Sequence, residues 1–226
     1  MLRLILPLLL LAVPTRAEPF RPSPAYTQTG PETAAGALVW LHGGYDSGEF
    51  PHGPPEQPWI ARLAHDHFDI FRFDRPPGTD ALAASTEALA KGLAALRAAH
   101  YRRIILAGHS RGAFIALAML ARPDLVDAIA ALSPAAHGTR PERRPQALAD
   151  FQSLLAAARG NTRLALVLLA DDPFDPNPDA RAAAARTHAN LLLIDRPSEP
   201  HGHTGTDSQL FDQKFGEEIT KYLEEK

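Results

Sequence analysis

Ile104-Ile105-Leu106-Ala107-Gly108-His109-Ser110-Arg111-Gly112-Ala113-Phe114-Ile115-Ala116-Leu117 is the stretch on which the reading of this chain turns. An apolar run leads straight into a serine with a glycine two residues away on each side, and an Ala/Leu-rich stretch follows. The order strand, tight turn, helix exposes a serine hydroxyl on a strained turn, and small residues on either side let strand and helix approach closely. A bare G-x-S-x-G pattern is a weak signal, so its context carries the weight. A serine that only capped a helix would explain Ser110 but not both Gly108 and Gly112.

Outward from this turn, apolar runs alternate with longer stretches of helical periodicity, the pattern of a parallel sheet covered on both faces by helices. The runs are continuous, as buried parallel strands should be: Ala37 to Leu41, Phe68 to Phe73, Arg103 to Ala107, Ala128 to Leu132, Leu164 to Ala170 and Asn190 to Ile194. Between and after them, Gln57 to His65, Ser85 to His100, Arg111 to Ala121, Gln146 to Ala158, Pro178 to Ala189 and Thr206 to Glu225 carry apolar residues at helical spacing. Leu82, Leu89, Leu93 and Leu96 form one such stripe, expected to face the sheet. The fold class is therefore α/β: a three-layer α/β/α sandwich with a mostly parallel sheet. The long excursion from Pro134 to Arg163 is expected to form a small cap.

A serine hydroxyl is a weak nucleophile at neutral pH and needs an imidazole to take its proton and a carboxylate to orient that imidazole. Downstream, the strand Leu164 to Ala170 runs into Asp171-Asp172-Pro173-Phe174-Asp175, which offers three carboxylates at a strand end. Asp172, just before Pro173, is preferred as the acid, with Asp175 as alternate; the others would shape the turn or cap the next helix. The strand Asn190 to Ile194 leads to Pro200-His201-Gly202-His203-Thr204-Gly205. His203 is preferred as the base, because a Gly-His step before a helix lets the ring swing toward the serine, with His201 as alternate. A His-x-His pair can also hold a metal, but no third ligand stands at useful spacing, so no metal site is expected.

The oxyanion formed by attack on a carbonyl needs backbone N–H donors. Arg111, directly after the serine, supplies one. The loop Leu41-His42-Gly43-Gly44-Tyr45 supplies the other, from Gly44 or Tyr45. His42 is read as bracing that loop. Tyr45, His109 and Arg75 are candidate substrate contacts, although an Asp74-Arg75 pair before prolines also suits a braced turn.

Together the His42-Gly43-Gly44 loop, the Gly108 to Gly112 turn, the carboxylates 171–175 and the terminal histidines resemble the α/β-hydrolase superfamily over about Ala37 to Lys226. The resemblance implies a serine hydrolase acting on a small carboxylic ester through a Ser-His-Asp triad and an acyl-enzyme, with carboxylesterase chemistry first and no cofactor. Peptidase and thioesterase use the same triad, as would a haloperoxidase-like or carbon–carbon-bond hydrolase. A different class of reading is an exported binding protein on a hydrolase fold without turnover. The two leading antiparallel strands of the full fold are not evident before Ala37, so residues 18–36 read as an N-terminal extension and the sheet as reduced.

Residues 1–17 read as a secretory signal peptide: a basic start at Arg3, the apolar run Leu4 to Val13, and Thr15-Arg16-Ala17 as a small-x-small cleavage site. Ten apolar residues are too few for a spanning helix, which needs ~20. The expected protein is exported, periplasmic or secreted, with no stable membrane anchor after cleavage. With 0 cysteines, it would rely on core packing without disulfides. Its formal net charge of -3 offers nothing to a nucleic acid.

Overall fold

The computed structural model describes residues 20–44, 54–75, 81–175 and 177–225. The expected signal peptide and Tyr45 lie outside these residues. Among the described residues seven strands form one sheet: β1 (Arg21–Pro22), β2 (Gly36–Leu41), β3 (Phe68–Phe73), β4 (Ile104–His109), β5 (Ala128–Leu132), β6 (Arg163–Leu168) and β7 (Leu191–Asp195), in the spatial order β1-β3-β2-β4-β5-β6-β7. All neighbours from β3 to β7 pair in parallel, and β1 alone runs antiparallel, against β3. The helices are α1 (Ile60–His65), α2 (Leu82–Ala98), α3 (Arg111–Leu117), α4 (Arg144–Ala156), α5 (Pro178–Ala185), α6 (Gln209–Phe211) and α7 (Glu217–Glu224).

Every residue of β2, β4 and β5 is buried, because side chains alternate between two covered faces. Val39, Leu41, Leu106, Ile129 and Leu166 pack with the apolar sides of α2, α3, α4 and α5. Leu38, Trp40, Ile105, Leu132 and Val167 pack on the opposite face with α1, α6 and α7. The stripe on α2 behaves accordingly: Leu89, Leu93 and Leu96 are buried and Leu82 lies partly buried against them. Each fully buried Leu or Ile contributes about 1.5–3 kcal/mol relative to exposure, so the two faces together hold the sandwich.

Three expectations meet a different arrangement. Residues 20–35, read as an extension, are tied to the sheet. Phe20 is buried edge-on to Phe73 and occupies the space that a Cβ on Gly92 would need. The Asp69 carboxylate accepts hydrogen bonds from the amides of Thr29 and Gly30 and from the Tyr101 hydroxyl. Second, the helical part of the stretch 134–163, expected to belong to a small cap, packs into the core. This helix, α4, is the crossover from β5 to β6, with Ala147, Phe151 and Leu155 buried. Third, the expected last helix is broken into a 3-10 turn at Gly205–Asp207, then α6, a π turn at Asp212–Gly216, and α7. The π turn coincides with an Arg62–Asp212 ion pair, which lies so close to Gly216 that a Cβ there would fall 2.4 Å from the Asp212 carboxylate.

Candidate active site

Because β2 to β7 are parallel, their carboxyl ends share one edge of the sheet, where loops from several strands converge. Leu41 of β2 is in register with Gly108 of β4, and His109 of β4 with Leu132 of β5. The loops beginning at His42, Ser110 and Ser133 therefore emerge side by side, with those after β6 and β7 next to them.

Ser110 joins β4 to α3 at φ 52°, ψ -116°, a conformation that costs a non-glycine residue about 1–3 kcal/mol and persists only where surroundings enforce it. Here they do. The Ser110 amide donates to the Leu132 carbonyl at 2.9 Å, and the Ser110 carbonyl accepts from Phe114 and Ala135, each at 3.1 Å. The two glycines are required by contact: a Cβ on Gly112 would stand 2.1 Å from the Leu41 carbonyl oxygen, and one on Gly108 would stand 2.6 Å from the Gly112 backbone. Arg111 is the first residue of α3, so its backbone N–H belongs to the helical turn whose amides point out of the helix N-terminus.

The loop 42–44 runs beside this turn; a Cβ on Gly43 would lie 3.4 Å from that of Ser110. His42, fully buried, holds the loop in shape. Its Nε2 accepts from the Arg75 amide at 3.0 Å, which leaves Nδ1 as the protonated nitrogen donating to the Gly43 carbonyl at 2.7 Å. The Arg75 guanidinium donates to the carbonyls of His42 at 2.5 Å and Gly43 at 3.1 Å. Arg75 is only 3% exposed: the residue expected to touch substrate is turned inward and braces the loop, because three carbonyl and imidazole acceptors surround it.

His203 Nδ1 lies 2.8 and 3.0 Å from the two carboxylate oxygens of Asp172. An ionised carboxylate only accepts, so Nδ1 carries the proton and Nε2 is left as the acceptor. Asp172 also takes the Phe174 amide at 2.8 Å, and the Phe174 ring covers the imidazole with centroids 4.3 Å apart. The loop that carries His203 is pinned by the Gly202 amide on the Ala170 carbonyl at 2.7 Å and by His109 Nε2 on the His203 carbonyl at 3.0 Å. Burial pushes the His109 imidazole pKa down. His109, a candidate substrate contact, thus faces the His203 loop.

The alternates are elsewhere. Asp175 is buried beside Arg181, with its oxygen 3.3 Å from Nε. Desolvation raises its pKa although Arg181 pulls the other way. His201 is exposed and stands 3.8 Å from the exposed Asp171. Two further side chains shape this region without a signal in the sequence. Phe174 gave no signal beyond its place between two aspartates. Arg181, 1% exposed, donates to the Pro134 carbonyl at 2.6 Å and lies over the Phe151 ring at 4.9 Å; nothing local distinguishes it from the surface arginines of an alanine-rich helix.

Among the described residues no cluster of histidine, aspartate and glutamate could hold a metal ion, and no helix is long and apolar enough to cross a membrane. A cleft of about 760 Å³ lies at the opposite, amino edge of the sheet, lined in part by Arg103, Asp127, Arg163 and Glu224, and shares no residue with this site.

A family model described as the alpha/beta hydrolase fold matches residues 36–175. No curated protein sequence matches the chain. Among solved structures, the esterase Pf2001 of Pyrococcus furiosus is similar at a TM-score of 0.63 and 18% identity, over 84% of this chain and 82% of that one. The monoacylglycerol lipase of Paleococcus ferrophilus is similar at 0.64 and 15%, over 87% and 96%. Est1E of Butyrivibrio proteoclasticus is similar at 0.62 and 16%, over 85% and 90%.

Proposed function

Because the chain belongs to the α/β-hydrolase fold family, we propose that it hydrolyses a small carboxylic ester through an acyl-enzyme on Ser110. The observation that carries this reading is the His203–Asp172 pair, whose tautomer leaves Nε2 as a base, on the same sheet edge as a serine held in a strained turn. Ser110 Oγ attacks the ester carbonyl while His203 Nε2 takes its proton, and Asp172 stays ionised and steadies the imidazolium. The oxyanion is held by the N–H groups of Arg111 and Gly44. His203 returns the proton to the leaving alcohol; water, deprotonated by the same nitrogen, then releases the acid and restores Ser110. The reaction as written draws on no cofactor. The similar esterase and monoacylglycerol lipase support an ester as the substrate. Residues 1–17 support export, to the periplasm or beyond, with cleavage after Ala17.

The test is labelling of the protein with a fluorophosphonate, read by intact mass, beside hydrolysis of p-nitrophenyl acetate. The wild type should gain one adduct, Ser110→Ala none, and Ser110→Ala should lose activity by about 10^4-fold or more. A folded wild type that takes no label and turns over no ester would refute the reading.

A further inference from the structure

His109 lies between the nucleophile and the base without belonging to either. It closes β4, where Ile105 and Ala107 point toward the α1, α6 and α7 face, so by the two-residue alternation of a strand His109 points there as well. The loop after β7 passes on that side. There His109 Nε2 sits 3.0 Å from the backbone carbonyl of His203, with the two rings 5.0 Å apart. A carbonyl can only accept, so Nε2 must carry a proton, and in the neutral ring Nδ1 is bare. A glycine stands on that side: a Cβ on Gly43 would come 3.3 Å from Nδ1. Asp207, Asp172 and His203 are the charged or titratable groups around this imidazole, and it is 8% exposed.

We propose that His109 is a positioning residue for the base: its Nε2–H ties the backbone of His203 to the residue that precedes Ser110, so that one contact sets the spacing between imidazole and serine. The proposal rests on the reading of Ser110 and His203 given above. The rest of the base loop is fastened to other elements, by Gly202 to the end of β6 and by Thr206 and Asp207 to Gln57. Those fastenings hold the loop on the molecule; the His109 bond alone, among them, refers it to the strand that carries the nucleophile. Loss of a positioning contact acts on the reacting geometry, where a misplacement of about 1 Å costs ~100-fold. It does not act on affinity for the ester.

The experiment compares His109→Gln with His109→Asn in the full chain, with His203→Ala as reference. Glutamine extends its amide N–H to about the reach of Nε2, and asparagine, of the same chemistry, falls one methylene short. For p-nitrophenyl acetate, His109→Asn should lose about 10- to 100-fold in kcat with KM within about threefold, and phosphonylation of Ser110 should slow in parallel. His109→Gln should recover most of both. Thermal melts show whether each variant is folded. Equal kcat in the two variants, or a loss confined to KM, overturns the proposal, the second result making His109 a substrate contact. Full activity in His203→Ala would instead remove the base reading, and the proposal with it.

Discussion

Two histidine–aspartate pairs share the same two loops, their histidines two residues apart and their aspartates adjacent, and they differ in almost everything but composition. His203 and Asp172 are 2.8 Å apart, with side-chain exposures of 12% and 3%. His201 and Asp171 are 3.8 Å apart, with exposures of 60% and 84%. In water, a pair of the second kind contributes little, because solvent screens it and both side chains lose rotamer freedom when held together. Removed from water, the first has one tautomer and one orientation, which an acid-base catalyst requires. The contrast sets the largest predicted difference. Asp172→Ala should lower kcat for an ester by about 10^4-fold, whereas Asp171→Ala should leave it within about twofold. Steady-state rates of the two variants decide the matter; similar losses in both would mean that burial does not distinguish the pairs.

The buried pair rests on a second buried ion pair, and breaking that one tests how far its orientation depends on what lies beneath. Arg181 joins Asp175 to the Pro134 carbonyl and the Phe151 ring, clamping the turn that carries Asp172 against the loop after β5. Arg181→Met should cost about 3–5 kcal/mol, because Asp175 is left as an uncompensated buried charge. The pH dependence has a definite sign. Burial already raises the Asp175 pKa against the lowering pull of Arg181; without Arg181 it rises further in the folded protein. A carboxyl whose folded pKa exceeds its unfolded value destabilises the fold in full above the folded value, and that deficit shrinks as pH falls through the folded value toward the unfolded one. The deficit of Arg181→Met, measured by urea unfolding, should therefore be largest near pH 8 and smaller near pH 5. A deficit that grows toward low pH would show that the charge on Asp175 is not its source.

How much of this was legible in the sequence follows from whether the meaning of a residue is local. Buried parallel strands read as unbroken apolar runs, so β2 to β7 were visible, with ends off by one or two residues; β6 stops at Leu168, not Ala170, where the Arg196 amide makes its bond to Leu168. Gly108 and Gly112 were legible because a turn demands small residues at those spacings. Asp172 and His203, preferred for their places beside a proline and a glycine, are the pair that meets. Arg75 misled, since an arginine after a strand end looks alike whether it faces substrate or turns back onto His42 and Gly43. Arg181 and Phe20 were illegible, since their partners Pro134 and Gly92 lie far off in sequence. The crossover role of α4 hid behind a proline- and arginine-rich approach that resembles a surface excursion.

The smallest effect concerns backbone strain, which Asp171 of the exposed pair shares with Ser110. Asp171 has φ 56° and Ser110 φ 52°, both in the region that glycine enters without cost. At Ser110 the strain is enforced by Leu132, Phe114 and Ala135. Asp171, exposed, makes only its long contact to His201 among the ion pairs of the described residues. If its side chain has no task, Asp171→Gly should relieve the left-handed conformation, offset in part by the greater freedom of glycine in the unfolded chain. The net gain should be at most about 1 kcal/mol, a rise in Tm of about 2–4 °C, with kcat within about twofold of wild type. A fall in kcat of tenfold at unchanged Tm would make the exposed pair part of the chemistry; a loss of Tm would show that the Asp171 side chain helps to hold the turn that presents Asp172.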